Sequence, residues 1–289
     1  MLLFDVSGAY IMSTQAAITI AQSWQDVDIE SMCAKVRVIA FDLDTTLARS
    51  KMRMTEEMGR RLAALTHLST VAIVSGGRFE QFRTQVLDVL DGLDTPPDRS
   101  RLHLMPTSGT RYFRWQEGEW VCVYAHDLAE QDRVQAIASL ERHARELGIW
   151  EERHWGHRIE DRGSQITFSA MGQQAPVEVK ESWDPTNEKK NALAMAVAAD
   201  LPHLQVRSGG STSVDISERG IDKAYAVREL ASILGVSVHD MMFIGDRMDP
   251  EGNDYPAALA GTMPIRVHNP DETIAVSDRI IALLSDRSS

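Results

Sequence analysis

Three short apolar runs, each cut off by a polar residue, constrain what this chain can fold into. Val36-Arg37-Val38-Ile39-Ala40-Phe41 stops at Asp42, the run 71–74 stops at Ser75-Gly76-Gly77, and Met241-Met242-Phe243-Ile244 stops at Gly245-Asp246. Runs this short and this uniformly apolar suit strands buried on both faces. Between the first two, Met58, Leu62 and Leu65 fall at helical spacing within 55–68, and a second helix is expected over about 79–90. Later, a helix through Leu234 follows Asp222, and Pro264-Ile265-Arg266-Val267 reads as a final strand. Strand, helix, strand, helix is the order of a parallel sheet with crossover helices. In such sheets the polar residues just past the strand ends gather into one crevice.

The middle of the chain reads differently. A Pro/Gly/Asp-rich connection over 91–100 leads to a hairpin, with strands over 112–115 and 120–124 around Gln116-Glu117-Gly118-Glu119. Helices are expected over 128–147 and about 186–200, with short strands at 158–159, 165–171, 204–207 and 212–216. This is an α+β pattern inserted into an α/β one. The expected division is an extension over 1–35 with a helix from about 13 to 33, a core made of 36–126 and 217–289, and an insert over 127–216. Trp115, Trp120, Trp150, Trp155 and Trp183 read as packing for the insert's sheet. Glu188-Lys189-Lys190 reads as a solvated helix face. His154 and His157 have no third ligand at metal spacing.

A length of 289 residues can bury a large core, and the net charge of -12 works against nucleic acid as a partner. A compact phosphorylated metabolite remains compatible, since a few cations can reverse the field inside one cleft. Cys33 and Cys122 carry neither disulfide-framework nor zinc spacing, which fits a reducing cytoplasm. The first 20 residues lack the basic start of a signal peptide, and no run is long and apolar enough to span a membrane.

Four polar clusters can carry chemistry. Asp42-Leu43-Asp44 supplies two carboxylates, one able to attack phosphorus while the other moves a proton; the same residues would also make an ordinary acidic turn or helix cap. Ser75 with the amides of Gly76 and Gly77 can hold a phosphoryl oxygen, or be only a loop. Lys223 opens a helix, where its ammonium can neutralise a phosphoryl group or lie in solvent. The loop from Asp246 through Asp249, Glu251 and Asn253 to Asp254 offers the hard oxygen ligands that Mg²⁺ takes.

In this order, the four clusters resemble the motifs of the haloacid dehalogenase-like phosphotransferases. Asp42, Asp44 and Thr46 match the D-x-D-x-[TV] motif, Ser75 the second, Lys223 the third, and Asp246 with Asp254 the acidic fourth. The chain is most similar to the type with a large α+β (C2-type) cap between motifs two and three, particularly the eukaryotic-type phosphomannomutases. That likeness runs from about residue 36 to 266 and includes Glu160, Arg162, Phe168-Ser169, Gly172, and Gly209-Gly210 through Ser213 and Asp215.

The resemblance implies a Rossmann-like core with an inserted cap, and Mg²⁺ held by Asp42, the backbone carbonyl of Asp44, Asp246 and Asp254. It implies Asp42 as nucleophile, Asp44 as acid and base, and Ser75 and Lys223 as stabilising groups. Thr46, Gly76, Arg162, Gln173, Ser213 and Asp215 are implied at the substrate, and a homodimer is implied by analogy. One position departs. Gln173 stands where the mutase pattern has a cap arginine, which favours hydrolysis of a sugar phosphate or similar small phosphomonoester over isomerisation. Phosphomannomutase activity is the alternative, and a non-catalytic phosphosugar-binding protein a third reading. Arg158, Lys180 and Lys189 are the candidate replacements for the missing arginine.

Overall fold

The computed structural model describes residues 23–288 apart from Gly210 and Glu251, and divides the chain into two compact units. One is Ala125–Ile221; the segments on either side of it form the other. The part of the expected first helix over 13–22 lies outside the described residues. Helix α1 is Ile29–Lys35, started by Asp28, whose carboxylate accepts from the amide of Ser31.

The flanking unit is built on a seven-stranded sheet. Its strands are β1 (Val38–Phe41), β2 (Thr70–Val74), β3 (Leu102–Met105), β4 (Arg111–Gln116), β5 (Glu119–Ala125), β10 (Met241–Gly245) and β11 (Met263–Arg266), in the order β11-β10-β1-β2-β3-β4-β5. The first five in that order pair in parallel, and β4 then runs antiparallel to β3. Side chains alternate between two apolar layers. Ile39, Phe41, Val71, Ile73, Leu104 and Ile244 enter one layer, and Val38, Ala40, Ala72, Val74, Phe243 and Met241 the other. Burial on both faces is why these strands read as unbroken apolar runs.

Helix α2 (Glu56–Leu68) buries Met58, Leu62 and Leu65 in the first layer, and Thr55 caps it by accepting from the amide of Met58. The stretch 79–90, labelled α3, is helical throughout but changes pitch. Phe79–Phe82 is α-helical, Arg83–Leu87 is π-helical, and Asp88–Leu90 returns to α.

Two expectations are corrected here. Strand β3 was not expected, because only five residues separate the end of the polar connection at Ser100 from Pro106. The hairpin, inside the 36–126 span expected for the core, joins the larger sheet: His103 and Leu104 of β3 pair with Arg114 and Phe113 of β4. Its two-residue turn has Glu117 and Gly118 at φ 50° and 92°, the type I′ pattern that matches strand twist. Trp115 and Trp120 therefore pack edge to face on this hairpin, not on the insert.

His103 is buried beside Tyr112, whose hydroxyl lies 2.7 Å from its Nδ1. Burial, helped by Arg114, pulls its pKa down to about 4. The folded chain therefore refuses a proton that the unfolded chain accepts near the ordinary 6.5. The resulting stability is complete above that value and lost as pH falls toward 4. Urea unfolding at pH 7 and pH 4.5 should show the wild type losing about 2–3 kcal/mol more than His103→Gln across that interval.

In the other unit, β6 (Ile159–Asp161), β7 (Gln165–Ser169), β8 (Leu204–Ser208) and β9 (Ser213–Glu218) form an antiparallel sheet in the order β6-β7-β9-β8. Ile166, Phe168, Val214 and Ile216 pack with Leu140, Ala144, Leu193 and Val197 of helices α4 (Glu130–Glu146) and α6 (Glu188–Asp200). The alternate residues Gln165, Thr167, Ser169, Ser213, Asp215 and Ser217 are polar. Helix α5 (Val177–Trp183) was not expected. Lys190 is buried rather than solvated, with its amide on the Asp184 carboxylate.

Candidate active site

Strand β1 ends by handing its ladder to the loop: the amide of Asp42 donates to the carbonyl of Ile244 at 2.9 Å. Leu43 is fully buried in the core and anchors the motif between its two acids. Thr45 takes a left-handed φ of 66° and donates its amide to Ala48 at 2.6 Å, closing a tight loop over Thr46 and Leu47. Thr46 is buried, with its hydroxyl making a long contact of 3.5 Å to Asp246 Oδ1.

Lys223 begins helix α7 (Lys223–Leu234), where Asp222 caps the first turn by accepting from the amides of Ala224 and Tyr225. Its ammonium, 1% exposed, bonds to both Asp42 Oδ1 and Asp254 Oδ1. Asp254 is fully buried, and its other oxygen accepts from the amide of Arg247 at 3.0 Å. The loop after β10 curls tightly enough that a Cβ on Gly252 would stand 1.9 Å from the Arg247 carbonyl oxygen. A Cβ on Gly245 would stand 2.4 Å from Asp254 Oδ2, so glycine is needed for that carboxylate to lie against the strand end. In the same loop Asp249 is paired with Arg247. Glu251 lies outside the described residues.

Asp42, Asp246 and Asp254 each offer one oxygen within 4.8 Å of the others. Three carboxylates gather about one ammonium, and the proton affinities of Asp42 and Asp246 reflect it. Burial, reinforced by Asp254 and Asp246 and only partly opposed by Lys223, holds Asp42 well above the usual carboxylate range. Burial and then the charge of Asp254 lift Asp246 to about 6. For Lys223 burial acts to release the proton, but Asp254 and Asp42 outweigh it and keep the ammonium charged. An oxygen-only donor set with excess negative charge fits a hard divalent cation.

Asp44 is set apart from that cluster. Its Oδ1 accepts from the amide of Lys51 at 2.6 Å and from Gln85 Nε2 at 3.2 Å. Ser75, at the end of β2, is buried, and its Oγ accepts from the amide of Gly77 at 3.2 Å. A side chain at Gly76 would meet only Ser108 Oγ, 4.0 Å away.

The remaining expected residues lie in the other unit. Arg162 is paired with Glu160 at 2.8 Å. Thr167 donates to Asp215 Oδ1 at 2.7 Å, and Gly209 leaves room for that carboxylate, since a Cβ there would stand 2.6 Å from Asp215 Oδ2. The backbone carbonyl of Ser213 accepts from the amide of Gly209. Gly210 lies outside the described residues. Among the described residues, the buried Nε2 of Gln173 finds no hydrogen-bond partner. The candidate replacement cations are engaged locally: Arg158 with the Glu151 carbonyl and the Trp150 ring, Lys180 with the Gln173 carbonyl, and Lys189 with the Trp183 carbonyl and ring. Gln85 was not anticipated; a glutamine in mid-helix carries no sequence signal of its position.

Fold and site together define an enzyme of the parallel-sheet α/β class, with its acidic cluster at the carboxyl ends of adjacent strands. A family model for haloacid dehalogenase-like hydrolases matches residues 39–257, and the chain belongs to that family. Phosphomannomutase of Saccharomyces cerevisiae is 23% identical over 256 residues, 85% of this chain and 94% of its own length. Phosphomannomutase of Spinacia oleracea is 26% identical over 253 residues, 84% and 95% of the two chains. Among solved structures, a C-terminally truncated IMP-nucleotidase of Plasmodium falciparum matches with a TM-score of 0.67 at 18% identity, covering 88% of this chain and 74% of that one. A haloacid dehalogenase-like hydrolase from Bacteroides thetaiotaomicron matches with a TM-score of 0.56 at 14% identity, covering 85% and 100%. The α/β fold anticipated from the strand-end motifs is the fold found. Among the described residues no helix is long and apolar enough to cross a membrane.

Proposed function

We propose that this chain is a Mg²⁺-dependent phosphohydrolase acting on a sugar phosphate or similar small phosphomonoester through a phosphorylated Asp42. The observation that carries the reading is the division of the two motif-one acids. Asp42 lies against Lys223 within the acidic cluster, whereas Asp44 is turned to a separate pair of N–H donors. This division supports the role of nucleophile for Asp42 and that of proton carrier for Asp44.

Asp42, Asp246 and Asp254 would hold the cation, with the Asp44 backbone carbonyl added by family likeness. Bound Mg²⁺ supplies charge neutralisation for the transferring phosphoryl group. The chain's own residues do the rest. Lys223 favours the ionised form of Asp42, one of whose oxygens attacks phosphorus. As that O–P bond forms, the bond from phosphorus to the leaving oxygen breaks, and Asp44 gives this oxygen its proton. Ser75, whose Oγ already accepts from Gly77, keeps its own hydrogen for a phosphoryl oxygen. Asp44, now a carboxylate, takes a proton from water; the water oxygen bonds to phosphorus, and Asp42 and inorganic phosphate are released. Arg162, Ser213 and Asp215 would select the remainder of the substrate.

Hydrolysis rather than isomerisation is supported by Gln173. A mutase holds a bisphosphate by a second phosphate, for which a bidentate arginine is the fitting ligand. Here that position is an amide, and Arg158, Lys180 and Lys189 have carbonyl partners of their own. The relatives named phosphomannomutase, aligned over most of their length, favour the alternative reading. The deciding experiment incubates purified protein with Mg²⁺ and a panel of sugar phosphates, following free phosphate and isomerised product. Phosphate release that stops with EDTA is expected. Conversion of mannose 1-phosphate in the presence of a hexose bisphosphate, at a rate above phosphate release, would overturn the reading.

A further inference from the structure

Gln85 is a polar side chain buried in the apolar layer of the larger unit, 3% exposed, within the π-helical part of α3. Its Nε2 donates to the Met52 carbonyl at 2.9 Å and to Asp44 Oδ1 at 3.2 Å. Both neighbours are acceptors, so the amide nitrogen must face them. The consequence is that Oε1 is buried without a hydrogen-bond partner among the described residues. A stranded acceptor destabilises the fold, and an apolar side chain of the same length would avoid that cost altogether.

The backbone points the same way. At the π turn the Asp88 amide reaches back five residues to Arg83, and the carbonyl of Gln85 accepts from the amide of Met54 at 2.9 Å. Gln85 thus holds the segment 52–54 by side chain and main chain together. The residue just before that segment, Lys51, sits at a left-handed φ of 57° and donates its amide to the same Asp44 oxygen. Single π turns inside α-helices recur at functional sites because they re-aim one residue.

We propose that Gln85 is a positioning residue for the proton-transfer step: with the Lys51 amide it fixes Asp44 Oδ1 as an acceptor of two N–H donors, which leaves Oδ2 as the oxygen that gives the proton to the leaving group and takes it from water. This rests on the assignment of Asp42 as nucleophile and Asp44 as its acid.

The test uses full-length Gln85→Met with Mg²⁺ and compares kcat/KM on two esters. p-Nitrophenyl phosphate has a leaving group that departs without help from an acid, whereas a hexose 6-phosphate needs the proton. A misplaced acid should lower kcat/KM for the sugar phosphate roughly 10- to 100-fold and for the nitrophenyl ester less than about 3-fold. Equal losses on both esters, or no loss on either, would overturn the proposal. Gln85→Leu, which likewise removes both donated bonds, should give the same split, and serves if the methionine variant does not fold. A crystal structure of either variant supplies a readout apart from turnover: the Asp44 carboxylate should rotate off the Lys51 amide, and an unmoved carboxylate counts against the idea. A wild type with no Asp42-dependent phosphate release instead sinks the nucleophile assignment; an active wild type without the split sinks only the role of Gln85.

Discussion

Replacing Lys223 by methionine is expected to destabilise the metal-free protein by about 3–5 kcal/mol, the range found when one partner of a buried ion pair is removed. The argument is one of charge count. Asp42 and Asp254 are both buried, both bond to this ammonium, and Asp246 lies within the same cluster. Methionine preserves the length of the side chain, so the loss measures electrostatics more than packing. It strips from Asp42 and Asp254 the ammonium to which both bond, and leaves buried negative charge without that partner. A divalent cation binding to those carboxylates should restore part of the loss, because ligand bound to the folded state alone adds its own free energy. Urea unfolding in EDTA and again in millimolar Mg²⁺ gives both numbers. A loss below about 1 kcal/mol in EDTA, or no recovery with Mg²⁺, would show that the cluster is not the coupled unit described above.

How much of this was readable in the sequence depended on how local each signal is. The parallel strands were legible because burial on both faces leaves an unbroken apolar run, as in Val38–Phe41 and Met241–Gly245. Strand β3 was not: four residues give too little pattern, and Leu102–Met105 is a strand because β2 offers it a parallel partner. The hairpin was visible from Glu117-Gly118, but its allegiance was decided by pairing with β3, a contact no local pattern records. The catalytic candidates from motif ends were legible since their chemistry is written in residue type and order. Lys223 illustrates the limit. A lysine at a helix start is ordinarily solvated, and only the fold brings it to Asp42 across 181 residues of chain. Gln85 lies beyond that limit, since its function follows from a change of helical pitch and from Met52, Lys51 and Asp44 meeting at one amide.

Asp42→Asn should separate activity from stability. Loss of the nucleophile is expected to lower phosphate release by more than ~10³-fold, as removal of an attacking group does in enzymes that form a covalent intermediate. The same substitution should make the metal-free protein more stable at neutral and alkaline pH. The sign follows from the raised pKa of Asp42: burial and the charges of Asp254 and Asp246 make the folded state bind this proton more tightly than the unfolded state does. Its contribution to stability is therefore complete below the ordinary carboxylate value of 3.8 and is lost as pH rises through the folded-state value. An asparagine carries no charge to be penalised, so the advantage of Asp42→Asn in EDTA should be larger at pH 8 than at pH 5. Mg²⁺ should then narrow the gap by stabilising the wild type more, since the variant lacks one of the three carboxylates proposed to hold it. Chemical unfolding at the two pH values, with and without the metal, measures each part. Retained phosphate release would dismiss Asp42 as nucleophile. A variant less stable than the wild type at pH 8 would mean that the Lys223 bond, not burial of the charge, dominates at this carboxylate.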